Sequence, residues 1–507
     1  MERNVLLPAR IKKEVNSERL IAAMPLARFR TRTYIAMLSC LLSAAVIFPA
    51  STSAQGTVQT QSRTIAHNGK SFTVQWVTAD LTDPYLRVKP VTAEDGIGHD
   101  ESFSSMLTRN HAIAGINGTF FDAYEKDDTQ RYPNGLLIGS GEIMHSGINP
   151  SFLVYADKTA SLQRIQTEHQ ISVTHQSKAY TFTAWGVNKY YGDSANDQVV
   201  WYTRAFGLTI DFPNSTKVVL REGKVTAITT QSVNIPEDGQ VFLLGNSANN
   251  KTYVLPNIHI GDTVKLTSSL HNQDTGESSM LTAVDAAIGA GPHLLTNGAV
   301  DLDVKRDGFT DPKITTSANV RSFIGLDASH QFVMGTISAA TMADMAQVLL
   351  KLGLTDAMNM DGGASSSLYA NGSMLRSPGR ALSNALVVER LDHPQIQLEV
   401  NGQFVHEFRG YLLQETSMVP FRGILERIGA KFEWNGTTRT LTVHHGSTNL
   451  ELRPDHSMMT VNGQSVILPE APTILDGHIY MPLRAIIESL GGQIQWDPQL
   501  YRVSLRF

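Results

Sequence analysis

From about Ile65 to Arg390 the chain alternates apolar and polar residues in short runs, such as Ser71-Phe72-Thr73-Val74-Gln75-Trp76-Val77. A period of two sends successive side chains to opposite faces, so these runs predict half-buried strands. Asn68-Gly69, Asn297-Gly298 and Asn371-Gly372 punctuate them as hairpin-type turns. One segment has a helical period: Met345, Val348, Leu349 and Leu352 fall on one face of Met342 to Leu352. Thr341 can cap that helix, Asp344 stands at the capping-box distance, and Gly353 ends it.

The end of the chain repeats itself. Val419-Pro420-Phe421-Arg422-Gly423-Ile424-Leu425-Glu426-Arg427-Ile428-Gly429, with Trp434 after it, matches Met481-Pro482-Leu483-Arg484-Ala485-Ile486-Ile487-Glu488-Ser489-Leu490-Gly491, with Trp496 after it. In each copy proline is expected to open a helix, an apolar stripe to line it, glycine to stop it and a tryptophan-bearing strand to follow. Asn401-Gly402 and Asn462-Gly463 supply a turn to each copy. The pattern predicts an α+β protein: a mixed or antiparallel sheet domain with helices packed on it, then a small α/β repeat domain.

Residues 1 to 33 are basic, with Arg28, Arg30 and Arg32 nearest the apolar run Tyr34 to Ala50, and Ser51-Thr52-Ser53-Ala54-Gln55 follows. This is the order of a secretory signal peptide, with cleavage expected near Ala54 and Met24 as an alternative start. The competing reading is an uncleaved anchor, because about 17 apolar residues is the short edge for a membrane span. The expected organisation is a signal peptide with its n-region over 1–54 and a flexible lead-in over 55–64. A catalytic domain follows over 65–392, and the repeat domain covers 396–507, with copies at about 396–447 and 449–507. The mature chain is expected to be secreted, extracellular or wall-associated, with no stable membrane insertion.

The 507 residues are 42% hydrophobic and 18% charged, an ordinary globular balance. A net charge of -5 gives no reason to expect a nucleic acid partner. The only cysteine, Cys40, lies in the apolar run. A cleaved chain would hold none, which excludes thiol chemistry and cysteine-ligated metals.

Four segments carry candidate chemistry, and each has a bland reading when taken alone. Gly115-Ile116-Asn117-Gly118-Thr119-Phe120-Phe121-Asp122 reads as a buried strand running into a polar loop, or simply as a turn capped by Asp122. Tyr132-Pro133-Asn134-Gly135 with the run after it reads as a hairpin. Ile288-Gly289-Ala290-Gly291-Pro292-His293, followed later by Arg321, pairs a glycine-rich turn with a fork-shaped donor that suits phosphate oxygens. Asn359-Met360-Asp361-Gly362-Gly363-Ala364-Ser365-Ser366-Ser367 sets one carboxylate before two glycines and three hydroxyls, and Gly379-Arg380-Ala381-Leu382-Ser383-Asn384 follows.

Taken in order, these segments resemble the phosphodiester glycosidase family, related to the lysosomal enzyme that uncovers mannose-6-phosphate. The resemblance rests on Asn117 to Asp122, Pro133 to Gly135, Gly289 to Pro292, Arg321, the hallmark Asn359 to Ser366, and Arg380 to Leu386, with Ala364 where many relatives have glycine. It implies hydrolysis of a sugar-1-phosphodiester to a sugar and a phosphomonoester, without a cofactor. Asp361 and Asp122 would be the two carboxylates, one acting on water and one stabilising the oxocarbenium-like state. Asn117 and Asn384 would orient sugar hydroxyls. Arg321 and Arg380 would hold the phosphate with backbone groups near Gly362 and Gly363, and Ser365, Ser366, Gly291 and His293 would complete the site. A lone histidine such as His145 or His293 is more often structural, although a neutral imidazole can relay protons beside phosphate.

The final repeat resembles the copper amine oxidase N-terminal-like stalk domain of secreted proteins from Gram-positive bacteria. That resemblance implies a packing and spacing module without copper. His444 and His445 are adjacent on an alternating run and so face opposite ways. No H-E-x-x-H spacing occurs, so no catalytic zinc is expected. Asp301, Asp303 and Asp307 read as a solvated loop, with a structural calcium left open. The expected partners are a glycan phosphodiester substrate and a cell-wall polymer. Two other functions compete: a non-catalytic wall- or glycan-binding protein, and a metal-dependent phosphodiesterase that cuts P–O.

Overall fold

The computed structural model describes residues 56–192, 196–405, 410–475 and 477–507. The signal-peptide reading and Cys40 fall outside these residues. Strand predominates, in several sheets that do not close, so the protein is mostly β and the expected α+β class with packed helices holds in part. The reason is visible in the periodicity. Among the described residues, the one α-helix longer than seven residues is Met342–Leu352, with the bounds its pattern predicts. The Thr341 hydroxyl accepts from the Asp344 N–H at 3.1 Å, and Gly353 is left-handed with φ 102°.

Three large sheets and a two-stranded one, Thr209–Ile210 with Val233–Asn234, build the region up to Arg390. The first has seven strands, in the order Gln59–His67, Lys70–Ala79, Phe332–Ala340, Asn319–Asp327, Leu354–Asn359, His293–Thr296 and Ala299–Val300. Helix Met342–Leu352 packs Met345, Val348 and Leu349 on it against Phe323, Val333 and Ala357. The polar stretch expected to be a flexible lead-in instead enters this sheet from Gln59, in register from Gln59↔Thr78 to His67↔Lys70. Its polar composition misled because an edge strand needs only a backbone partner, and its outward side chains stay in water.

The second sheet has five strands: Ser373–Arg376, Leu368–Ala370, Ala112–Asn117, Asn384–Arg390 and Leu86–Thr92. The third has thirteen and includes Leu137–Gly139, Asn149–Tyr155, Ala160–His175, Thr263–Asn272 and Val284–Gly289. One core joins all three, drawing Ile324 and Met358 from the first, Ile116 and Leu386 from the second, and Leu137, Phe152 and Ile288 from the third. Each is at most 1% exposed. Burial of such side chains stabilises by about 1.5–3 kcal/mol apiece, and it fixes how the ends of the three sheets meet.

From Gln395 onward, among the described residues, strands pair only with one another, in an eight-stranded and a five-stranded sheet. The helices are Phe421–Arg427 and Leu483–Ser489, with Ile424, Leu425, Ile486 and Ile487 fully buried. Pro420 and Pro482 occupy the cap position, one residue before the first turn, where each also ends a strand. Those strands, Thr416–Pro420 and His478–Pro482, pair antiparallel through Val419↔Met481. Strand Gln395–Val400 of the first copy pairs parallel with Arg502–Arg506 of the second. The copies therefore interlock rather than standing as separate units. All five Asn-Gly turns form, each asparagine at φ 49 to 51°. Among the described residues no helix is long and apolar enough to cross a membrane.

Candidate active site

Asp361 stands where the chain leaves strand Leu354–Asn359 of the seven-stranded sheet and crosses to Leu368–Ala370 of the five-stranded one. Its N–H donates to Gly118 O at 3.3 Å, and the Met360 N–H donates to Ser322 O at 2.9 Å. The turn Gly363–Ser365 follows, with Gly363 exposed and left-handed at φ 61°. Burial pushes the Asp361 carboxyl up to about 6, although the Ser365 hydroxyl, the Gly362 N–H at 2.8 Å and the charge of Arg380 all favour its ionised form. Part of the residue stays open to solvent. A carboxyl in this condition can hold or release a proton near neutral pH.

Asparagines hold this crossing in place. Asn117 ends strand Ala112–Asn117 at 1% exposure. Its amide donates to Asp361 O at 2.7 Å, and its Oδ1 accepts from the Ser322 hydroxyl at 2.7 Å and the Ser367 N–H at 3.0 Å. One side chain thus ties both sheets to the loop. Asn384 accepts the Thr119 N–H at 2.8 Å and donates to the Ser383 hydroxyl at 2.8 Å. A Cβ on Gly118 would lie 1.8 Å from Asn384 Oδ1, so only glycine fits there. Asn359 donates to Gly291 O at 2.8 Å. The expectation that Asn117 and Asn384 orient sugar hydroxyls is corrected: both are buried, and their carboxamides are engaged within the fold.

Several polar atoms of the same crossing have no protein partner. Thr119 Oγ1, His293 Nδ1, Asn359 Oδ1, Ser366 Oγ and Ser367 Oγ are all buried in this state. A buried group without a partner costs about 1–3 kcal/mol unless a ligand or water satisfies it. That cost falls here on the motif segments.

The cations divide into two kinds. Arg380 is half-buried and lies over the Tyr124 ring at 4.8 Å, with its Nη2 donating to the Tyr124 hydroxyl at 3.2 Å. Lys313 Nζ lies 5.3 Å from the centre of the same ring. Arg380 draws the Tyr124 hydroxyl below its ordinary range, Lys313 adds to this, and the nearby Asp361 charge opposes it. Arg380, Tyr124, Lys313 and Asp361 are therefore one electrostatic group. Tyr124 and Lys313 escaped the sequence reading: Tyr124 sits in a polar loop, Lys313 on the four-residue helix Pro312–Thr315, and neither carries motif spacing, although a 79%-exposed aromatic just after Asp122 is a signal of a kind.

Arg321 is different, at 3% exposure. Its Nε donates to Ala340 O at 3.3 Å, and its Nη2 donates to Lys313 O and Ser317 O at 2.9 and 2.6 Å. These bonds through Nε and Nη2 give it a positioning role. It anchors the segment that presents Lys313, while Nη1 lies against Gly362, 3.8 Å from where a Cβ would stand.

Other expected members stand apart. Asp122 is exposed; burial of part of its surface and the Glu125 charge raise its carboxyl, and Arg131 opposes them. Asp361 is the carboxyl set in the loop itself, while Asp122 stands on the exposed segment beside Glu125 and Arg131. Gly291 is buried and its N–H donates to Asn359 O at 2.8 Å. His293 is buried beside Asp307, which accepts its backbone N–H at 2.8 Å, and burial holds its imidazole neutral. Gly291 thus ties the turn to strand Leu354–Asn359, and His293 keeps its Nδ1 without a hydrogen-bond partner. Gly362 and Ser365 serve Asp361 itself. His145 is buried, its Nδ1–H donates to Gly135 O at 2.8 Å, and its imidazole is pushed down to about 3 by burial, a structural histidine. The acidic loop is not simply solvated: Asp307 is buried, and Arg306 pairs with Asp301 at 2.7 Å and Asp307 at 3.1 Å.

Residues 214–389 match the family model described as Phosphodiester glycosidase. The chain carries a phosphodiester glycosidase-like domain. The matched span includes Asp361, Arg321 and Arg380 and begins after Asn117 to Asp122. Residues 399–505 match the model described as Copper amine oxidase N-terminal domain, so the stalk-type domain is C-terminal. No curated protein matches the chain. A hypothetical protein from Synechocystis has a similar fold, at 22% identity and TM-score 0.56 over 66% of this chain, which spans 62% of that one. A putative exported protein from Burkholderia pseudomallei K96243 is similar at 18% identity and TM-score 0.53, over 64% of this chain and 75% of that one. The zebrafish N-acetylglucosamine-1-phosphodiester alpha-N-acetylglucosaminidase catalytic domain gives 12% identity and TM-score 0.32, over 67% of this chain and 85% of that one.

Proposed function

We propose that the glycosidase-like domain hydrolyses a sugar-1-phosphodiester by C–O cleavage. The observation that carries this is Asp361, with its carboxyl raised to about 6, in one group with Arg380, Lys313 and Tyr124. Water attacks the anomeric carbon and gives its proton to the Asp361 carboxylate. The bond from that carbon to the phosphate oxygen breaks, and its electron pair leaves on the phosphomonoester. Such a leaving group needs little protonation, so the cations have the larger task. Arg380 and Lys313 hold the phosphate charge, the Tyr124 hydroxyl orients it, and Ser366 and Ser367 supply free hydroxyls to the substrate or its water. The N-terminal order of basic, apolar and small residues supports export. An exported chain would meet phosphodiester-linked glycopolymers at the cell surface or wall.

The test is turnover of an N-acetylglucosamine-1-phosphate methyl diester in isotopically labelled water. Label is expected in the sugar; label in the phosphate would overturn C–O cleavage in favour of a phosphodiesterase. Asp361→Asn is expected to lower turnover by about 10³-fold, in the range of lost general-base help. A folded variant at full turnover would remove Asp361 from the chemistry. Tight binding of wall polymer without product from any sugar-1-phosphodiester would favour the glycan-binding alternative.

A further inference from the structure

A second cluster lies on the thirteen-stranded sheet, on elements that carry no candidate active-site residue. Strand Ala160–His175 ends at His175, which leads through Gln176 and Ser177 into Lys178–Ala184. Strand Thr263–Asn272 runs antiparallel beside it with Thr263 opposite Thr174, which brings Asp262 next to His175. His259 arrives on the turn before that strand, closed by the Asp262 N–H donating to His259 O at 3.1 Å.

The Asp262 side chain is 3% exposed, while those of His175 and His259 are 43% and 51% exposed. Asp262 Oδ1 lies 2.5 Å from His175 Nδ1, and Oδ2 lies 3.3 Å from His259 Nδ1 and accepts the His259 backbone N–H at 2.7 Å. The two rings face each other with centroids 4.4 Å apart. One donor atom from each of the three residues lies within 4.8 Å of the others. Two imidazoles so close cannot both carry charge cheaply, since one carboxylate offsets only one of them. A carboxylate oxygen only accepts, so without an ion the Nδ1 atoms carry hydrogen toward Asp262; a bound ion takes the place of those hydrogens and leaves both imidazoles neutral with hydrogen on Nε2. Two imidazole nitrogens, one carboxylate oxygen and an open solvent side suit a tetrahedral ion with bonds of about 2.0–2.2 Å. Hard ions such as calcium and magnesium prefer oxygen donors throughout.

We propose that His175, His259 and Asp262 bind a divalent transition-metal ion of the zinc class, with water as fourth ligand. The ion clips the end of strand Ala160–His175 to the entry of strand Thr263–Asn272. Its role is structural, because none of its ligands belongs to the Asp361 group. No motif spacing signals it, since His175 and His259 are distant in sequence and meet only through strand pairing.

The experiment is calorimetric titration of the chelator-treated full chain with zinc chloride, alongside thermal unfolding. One zinc per chain is expected, with a raised Tm and no competition from calcium or magnesium. Asp262→Asn endangers the fold because the carboxylate is buried and holds the turn, so the exposed histidines carry the test. His175→Ala and His259→Ala should each weaken zinc binding at least tenfold while circular dichroism stays unchanged. Absence of stoichiometric zinc binding would overturn the proposal, as would unchanged affinity in the double variant.

Discussion

The glycosidase-like and repeat domains use the same strand-and-turn vocabulary and bury different chemistry. Among the described residues, every buried polar or charged side chain lies between Thr78 and Glu389. From Gln395 onward the buried positions are apolar side chains, proline and glycine. The repeat core is a cluster of Ile, Leu, Val and Met with Phe421 and Ala430, all apolar. The glycosidase-like domain instead gathers Asn117, Asn359, Asn384 and the Ser365 to Ser367 hydroxyls where three sheets meet. A domain that only packs has no reason to bear unpaired polar groups. One that handles a polar ligand must bear them, and the apolar core beneath Asp361 offsets the cost.

Substitutions can break or sharpen this contrast. The largest effect is expected from Leu425→Ala, at a position 0% exposed in the repeat core. It should cost about 2–5 kcal/mol in urea unfolding of that domain and leave turnover intact. A parallel collapse of turnover would show that the two domains are not separable in this way. Asp361→Asn should act in the opposite sense on stability. The folded carboxyl, at about 6, lies above its ordinary value of 3.8, so the native state keeps a proton that the unfolded state releases in that window. Ionising Asp361 therefore costs stability as pH rises from 4 to 6, and the cost stays constant above. The variant should be more stable by at most about 3 kcal/mol at pH 8 and unchanged below pH 4, read from Tm against pH.

Asn117→Ala comes next. It strips partners from the Ser322 hydroxyl, the Ser367 N–H and Asp361 O, and should cost about 2 kcal/mol while also lowering turnover. Loss of stability with unchanged turnover would separate this strut from the site. Arg380→Ala should have the smallest effect on stability, within about 1 kcal/mol, since it releases one cation–π contact and one exposed hydrogen bond, both to Tyr124. Its signature is kinetic: a KM raised about tenfold, with kcat changed less, in steady-state assays.

Some of this was legible locally. Helix Met342–Leu352 followed from its period and caps, because both depend on residues within a turn of one another. The five Asn-Gly hairpins formed because the dipeptide tolerates left-handed torsions where strands flank it, whereas Asn117-Gly118, Asn134-Gly135 and Asn435-Gly436 keep the asparagine out of that region. Asp361 stood out because a carboxylate beside two glycines and three hydroxyls is an unusual local composition. The strand from Gln59 was missed because an edge strand is specified by its neighbour's free backbone, and its own side chains say little.

What the sequence determined by itself was the strand-rich domain, the interrupted helical period, the repeat and the loop that holds Asp361. Those are set by periodicity and torsion, which act over a few residues. Only the tertiary structure decided which polar residues face a ligand and which serve the fold. It turned Asn117, Asn384 and Arg321 into struts, brought Tyr124 and Lys313 to Arg380, and set His175 beside Asp262. The physical reason is that hydrogen-bond partners and desolvation belong to the space around a side chain, and that space is filled by segments far away in the chain.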